Sequence, residues 1–154
     1  MHDEDRLRAE LLVDDPNASE TWRDPFVFRD PSGDGWQMLI SARGRGGAEH
    51  DNAVLAQAWS SDLRSWQVRE PACAMGHGFG EIEVPQVRFI DGHHLLVFTC
   101  HPDKQSTERV SRWGRFATWA VVGDSPLGPW DVHNAQPFLA EPDLFAAPLL
   151  QRLD

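Results

Sequence analysis

The fold of this chain is decided by a stretch that occurs twice, AVLAQAWSSDLRSWQV at residues 53–68 and ATWAVVGDSPLGPWDV at residues 117–132. The two copies align without a gap at an offset of 64 residues. The matched pairs are Ala56 with Ala120, Ser61 with Ser125, Leu63 with Leu127, Trp66 with Trp130, and Val68 with Val132. An internal repeat of this length indicates that the chain uses one supersecondary unit more than once.

The residues that precede each copy repeat as well. The segment from Pro25 to Asp30 resembles the segment from Pro85 to Asp91 at an offset of about 60 residues. Each unit then contains a strand, an Asp/Gly hairpin, a strand, a longer loop, a strand, a turn, and a fourth strand that begins at Trp66 or Trp130. Four antiparallel strands per repeat form the blade of a β-propeller. The sequence therefore predicts an all-β fold with about two complete blades, in which both tryptophans pack in the core.

The repeat also suggests how the chain is organised. We divide it into residues 1–19, a short helix at EDRLRAELL or the remnant of a preceding blade, and residues 20–154, a partial propeller domain. The segment from Leu144 resembles the opening strand of a third blade. Because propellers close with about four to eight blades, we expect a piece of a larger propeller, with a self-contained β-sandwich as the alternative. Open blade edges make a homodimer that covers them another expectation.

Composition and charge restrict the function. The 24 acidic and 14 basic residues give a net charge of -10, which opposes binding to nucleic acid. No apolar run approaches the roughly 20 residues of a membrane helix, and the first residues lack the order of a secretory signal, so we expect a cytoplasmic protein without a membrane partner. Cys73 and Cys100 have no metal-binding spacing and are expected to be core thiols. We predict neither a metal nor a cofactor.

Two carboxylates stand near the starts of equivalent predicted strands. Asp24 opens the first strand of one blade, and Glu83 opens the same region of the next blade. Since the innermost strands of a propeller converge on its central channel, both side chains can face one pocket. Paired carboxylates of this kind perform glycoside hydrolysis. Two simpler interpretations stay open, in which Asp24 shapes a turn before Pro25 and Glu83 is a solvated acid at a strand end.

Three segments resemble one group of enzymes. WRDPFVF at residues 22–28 resembles the Arg-Asp-Pro motif of glycoside hydrolase families 32 and 68, five-bladed propellers that include invertases, levanases, inulinases and levansucrases. EVPQV at residues 83–87 is similar to their Glu-Cys-Pro segment, with Val84 in place of the cysteine. SSDLRSW at residues 60–66 is similar to a turn shared with the family 43 arabinan and xylan hydrolases. The resemblance covers residues from about 20 to 150.

The resemblance implies a role for each matching residue. Asp24 would stabilise the transition state and bind two hydroxyls of a fructosyl unit, and Arg23 would position this carboxylate and the substrate through its forked donors. Glu83 would act as general acid and base. Glu81 stands two residues earlier, but the family places a proline two positions after the acid, and Pro85 therefore selects Glu83.

Three other residues are candidates for contact with a carbohydrate substrate. Trp22 lies directly before Arg23. His77 and Phe79 belong to a glycine-rich segment, GHGFG at residues 76–80, which can line a sugar subsite or simply connect two blades. The sequence alone leaves both possibilities open.

The sequence departs from these families at the nucleophile. Family members carry an Asp within an Asn-Asp-Pro-Asn motif, whereas this chain offers only DDPN at residues 14–17. Asp15 lies nine residues before Asp24, which is too few for a blade, so we interpret it as part of a turn. We therefore expect a fructosyl hydrolase with little activity on sucrose, levan or inulin. The alternatives are a non-catalytic carbohydrate-binding module and a family 43-like arabinan or xylan hydrolase.

Overall fold

Two four-stranded antiparallel sheets make up most of the protein, as seen in a computed structural model that describes residues 22–139 and 141–149. Both sheets pair their strands in sequence order. The strands of the first sheet are β1 (Trp22–Arg29), β2 (Trp36–Arg43), β3 (Ala53–Ser60) and β4 (Gln67–Cys73). Those of the second sheet are β5 (Glu83–Ile90), β6 (His93–Thr99), β7 (Thr118–Gly123) and β8 (Gln136–Pro137). The prediction of two repeated four-stranded units is confirmed, and each repeat is one sheet.

The hairpin turns within the blades form at the Asp and Gly residues where the sequence predicts them. Between β5 and β6, Asp91 and Gly92 have positive φ angles of 49° and 83°, the backbone that a two-residue turn between twisted strands requires. Between β1 and β2, the carboxylate of Asp30 accepts hydrogen bonds from the backbone and the hydroxyl of Ser32. The hydrogen bond from the hydroxyl of Ser32, with those from the Ser32 backbone and Gln37, outweighs the opposing effect of burial and leaves the pKa of Asp30 below its ordinary value. Both aspartates therefore serve as turn residues.

The fourth strand of the second sheet is shorter than the sequence predicts. A strand beginning at Trp130 was expected, but Val132–Asn134 form a 3-10 turn and β8 has two residues. The backbone N–H of Trp130 donates to the carbonyl of Ala72, which belongs to β4 of the other sheet. This bond and the burial of the indole hold Trp130 between the sheets, where its backbone cannot also pair with β7.

One short α-helix was missed by the sequence analysis. Helix α1 (Thr107–Trp113) follows a 3-10 turn at Pro102–Lys104 in the connection between β6 and β7. The hydroxyl of Ser106 caps its first turn by accepting from the N–H of Arg109, and Gly114 ends it at a φ of 85°. The helix predicted at EDRLRAELL lies outside the described residues. No described helix has the length and apolar character needed to cross a membrane.

The main core lies between the two sheets. Phe79 sits at its centre with no exposed surface, and its ring meets Phe98 and Trp119 edge-on at centroid distances of 5.0 and 5.1 Å. Such edge-to-face pairs add to the stabilisation that burial provides. Trp130 is buried in the same cluster, whereas Trp66 is half-buried. The second sheet therefore packs against the first as one blade packs against the next.

The segment after β8 runs alongside β5. The side-chain amide of Gln86 donates to the carbonyl of Ala147 and accepts from the N–H of Leu149. Arg88 donates to the carbonyl of Leu149 as well. These bonds place residues 147–149 beside the innermost strand of the second sheet, within the segment predicted to start a third blade, although no strand is assigned to these residues.

Candidate functional site

The innermost strands of the two sheets share an irregularity that shapes the site. Both β1 and β5 contain a bulge, between Arg23 and Phe26 in one and between Glu83 and Gln86 in the other. At these bulges Asp24 and Val84 adopt positive φ angles of 55° and 47°, each directly before a proline. Positive φ is costly for residues other than glycine, and bulges that carry it often re-aim side chains beside functional sites.

The matching bulges correct the alignment of the two repeats at this point. Arg23 pairs with Ser41 as Glu83 pairs with Thr99, so Glu83 is the structural equivalent of Arg23. Asp24 corresponds to Val84. The two carboxylates expected at equivalent positions are therefore offset by one residue, and this offset puts the arginine of one strand opposite the glutamate of the other.

The structure brings Arg23, Asp24 and Glu83 together. The guanidinium of Arg23 binds Oε1 of Glu83 through Nε at 3.1 Å and also through Nη2. Oδ2 of Asp24 accepts the backbone N–H of Val84 at 3.2 Å and lies 3.5 Å from the hydroxyl of Ser41. The two strands thus hold each other through side chains that are 60 residues apart in the sequence.

Glu81 and Arg43 complete this cluster, although the sequence favours Glu83 over Glu81 and carries no motif at Arg43. Nη2 of Arg43 lies 2.6 Å from Oε1 of Glu81, and Nη2 of Arg23 lies 3.4 Å from the same oxygen. Arg43 is the last residue of β2 and directly follows Ala42, which pairs with Trp22 at the start of β1. A prediction of the strand register would therefore have placed Arg43 near Arg23. The cluster has three carboxylates and two guanidinium groups.

Charge pairing determines the state of Arg23. Burial alone would lower the pKa of its guanidinium, but hydrogen bonds and charges from Glu83 and Glu81 outweigh that effect and raise the pKa above its ordinary value. Arg23 is therefore a permanent cation that connects both glutamates. The side chain of Asp24 is 29% exposed, which leaves part of its carboxylate open to a ligand.

The remaining predicted contact residues do not join the cluster. Trp22 begins β1 and is 41% exposed, so its contact with a substrate stays a prediction. The prediction for Phe79 is wrong in this structure, because its ring is fully enclosed in the core and offers no surface to a sugar. The glycine-rich segment turns the side chain of Phe79 inward, between the two sheets.

His77 is also buried, with 5% of its surface exposed. Its Nε2 donates to the carbonyl of Ala53 at 3.0 Å. Desolvation lowers the pKa of the imidazole to about 4. Among the described residues, no contact joins His77 to Arg23 or Glu83, and the prediction that it lines a sugar subsite stays a prediction.

No metal site emerges from residues 22–139 and 141–149. Within these ranges, no group of three or more His, Cys, Asp or Glu side chains is arranged to hold an ion. Cys73 and Cys100 are free and buried, and burial raises the pKa of each thiol to about 12. Both cysteines therefore behave as core residues.

Comparison with known proteins identifies the fold. No protein-family model matches the sequence, and no curated protein matches it. Levansucrase from Gluconacetobacter diazotrophicus is similar in structure, with a TM-score of 0.66 and 17% identity over 86% of this chain and 33% of that chain. The β-fructofuranosidase catalytic domain of Microbacterium saccharophilum K-1 gives 0.63 and 17%, over 79% and 32%. An inulosucrase from Halalkalicoccus jeotgali bound to kestose gives 0.58 and 23%, over 74% and 30%.

These matches have two consequences. At such identities the likeness establishes the fold alone, which is that of part of a β-propeller. The chain spans about a third of the length of each of these proteins.

Proposed function

We propose that this chain holds part of the active site of a fructosyl-processing glycoside hydrolase acting on sucrose, levan or inulin. One observation carries the proposal: Arg23 binds Glu83 across the two sheets while Asp24 is held by the backbone of β5. A carboxylate pair and an arginine from separate blades thus meet at one edge. The likeness to a levansucrase, an inulosucrase and a β-fructofuranosidase supports the choice of a fructosyl substrate.

Each residue has a distinct role in this proposal. Glu83 donates a proton to the oxygen of the leaving group and later removes one from the attacking water. Asp24 accepts hydrogen bonds from sugar hydroxyls and stabilises positive charge that develops on the sugar ring. Arg23 is a positioning residue that holds the carboxylate of Glu83. A retaining reaction also needs a nucleophilic carboxylate roughly 5–5.5 Å from the acid.

Glu81 does not fit the role of nucleophile. Its carboxylate is bound by Arg43 and lies within reach of Arg23, so its oxygens are held by two cations. The nucleophile motif of the resembling families is not found in this sequence. We therefore expect the chain by itself to bind fructosyl sugars and to release little fructose from them, because loss of one member of a catalytic unit typically costs several orders of magnitude in rate.

The test compares sugar binding and fructose release by the purified chain with those of two matched variants. Glu83→Gln removes the proposed acid, whereas Glu70→Gln makes the same change on the exposed face of β4. Binding of sucrose, levan or inulin that is lost or weakened in Glu83→Gln and Asp24→Asn, and kept in Glu70→Gln, supports the proposal. Equal binding and equal release of fructose by all variants would overturn it.

The same cluster also favours a second candidate, a carbohydrate-binding module without catalytic activity. A glutamate that is paired with an arginine must leave this partner before it can donate a proton. Recognition needs no such step, since paired groups can bind sugar hydroxyls directly. Saturable sugar binding that depends on Arg23 and Asp24, with no fructose released even over long incubation, would identify the module.

A further inference from the structure

A cavity lies apart from the Arg23–Glu83 cluster and shares none of its residues. Its volume is about 330 Å³, which falls at the lower end of the roughly 300–1,000 Å³ typical of small-molecule sites. Its walls come from the loop between β2 and β3, the glycine-rich segment after β4, helix α1 and the 3-10 turn before β8. The first three connect strands at the edge where β1 begins, so the cavity and the cluster open on the same edge of the blades.

The walls of the cavity carry charges of both signs and an aromatic ring. Glu108 and Arg112 line it from α1 and make no hydrogen bond or ion pair with any other described residue. The guanidinium of Arg112 lies over the ring of Trp113, 5.0 Å from its centroid. An anion would face the carboxylates of Glu108 and Asp51, and a cation would face Arg112. A neutral ligand that both donates and accepts hydrogen bonds suits these walls better than either ion.

Two histidines in the cavity wall lack hydrogen-bond partners at one nitrogen. Both His50 and His77 line the cavity, and Nδ1 of each is buried without a partner among the described residues. Because Nε2 of His77 donates to the carbonyl of Ala53, its Nδ1 is the atom with a free lone pair. Burial keeps this imidazole neutral by lowering its pKa to about 4. His77 therefore adds no charge to the wall of the cavity.

The floor of the cavity is held rigidly. The guanidinium of Arg109 donates to the carbonyls of His77, His133 and Ala135, and it stacks over the ring of Phe79 at 4.0 Å. The backbone N–H of Gly78 donates to the carboxylate of Asp51. These bonds tie the four wall segments to one another before any ligand arrives, which lowers the entropic cost of binding.

We propose that this cavity is a second saccharide-binding site, which takes one neutral sugar residue in contact with Trp113. Its hydroxyls bind Glu108 and Arg112. The choice of a saccharide rests on the proposed function, whereas the site itself rests on the cavity and its unpaired groups. A sugar bound here adds a contact beyond the Arg23–Glu83 cluster on the same edge of the blades.

The test is a titration of the full chain with sucrose, fructose and glucose, followed by the backbone and tryptophan indole N–H resonances in NMR spectra. We expect saturable shifts at Trp113, at α1 and at residues 48–51. Trp113→Ala should weaken this binding at least about tenfold, or about 1.4 kcal/mol. Glu108→Ala, at an exposed helix position, should weaken it too and serves if Trp113→Ala fails to fold.

The matched control is Asp24→Asn, which alters the cluster and leaves the cavity intact. Shifts at the cavity that persist in Asp24→Asn, with shifts at β1 and β5 lost, show two separate sites. Cavity shifts without any response at β1 or β5 in the unaltered chain would sink the proposed function and keep this inference. No saturable shift at Trp113 and α1 with any of the three sugars would overturn the inference, as would unchanged binding in both cavity variants.

Discussion

Arg23 and Glu83 are 60 residues apart in the sequence, and the guanidinium of the first binds the carboxylate of the second where the two sheets meet. The pair has two properties at once. It joins the innermost strands of neighbouring blades, and it places an arginine and an acid beside Asp24. One ion pair therefore has a structural role and a binding role. Measuring stability and ligand binding on the same Arg23 variant shows which role is larger.

Arg23→Lys should reduce sugar binding far more than it reduces stability. The side chain of Arg23 is 38% exposed, and exposed ion pairs contribute about 0–1 kcal/mol to the free energy of unfolding. Lysine keeps the charge but loses the fork that reaches both Glu83 and Glu81. Urea unfolding and a sucrose titration on the same samples measure both effects. A loss of several kcal/mol in stability would show that the pair is chiefly structural.

Phe79→Ala should destabilise the protein by about 3–5 kcal/mol, the usual cost of removing a fully buried phenylalanine. The ring is enclosed by Phe98 and Trp119 and has no exposed surface. Phe89→Ala is the matched control, because Phe89 is 55% exposed and its removal should cost less than about 1 kcal/mol. Chemical unfolding of both variants provides the comparison. Similar costs for the two would contradict the central position of Phe79.

His77 should make stability fall as the pH is lowered. Burial lowers the pKa of its imidazole to about 4 in the folded protein, from the ordinary value of 6.5. The unfolded chain therefore binds a proton first, so the contribution of His77 is complete above pH 6.5 and is lost as the pH falls toward 4. The loss amounts to up to about 3 kcal/mol. His77→Gln should flatten the decline of unfolding free energy across this range, and an unchanged slope would contradict the burial.

Gly80→Ala should disturb the cluster through the backbone. A Cβ at Gly80 would lie 2.3 Å from the carbonyl oxygen of Glu49, a contact that requires the loop before β3 to move. Overpacking of this kind typically costs about 1–3 kcal/mol, and the strain falls next to Glu81. Gly46→Ala is the control, with open space around the added carbon and a strained φ of 78° as its main cost. Thermal unfolding and sugar binding should both suffer more in Gly80→Ala.

The repeat explains why the architecture could be predicted. Hydrophobic strands that recur with their turns report local preferences, and those preferences are enough to indicate two four-stranded units and the hairpin at Asp91 and Gly92. The length of the final strand of the second unit was overestimated. The backbone N–H of Trp130 bonds to Ala72 of the other sheet and is therefore not available to pair with β7. Helix α1 was missed because it is short and depends on its caps at Ser106 and Gly114.

The chain by itself determined the blades and the residues Arg23, Asp24 and Glu83, because periodicity and short motifs are properties of neighbouring residues. Tertiary structure alone decided which side chains meet. Matching bulges shifted Glu83 into the position of Arg23, Arg43 from β2 came to hold Glu81, and Phe79 turned from a glycine-rich loop into the core. These outcomes depend on how one sheet packs against another, and no local pattern contains that packing.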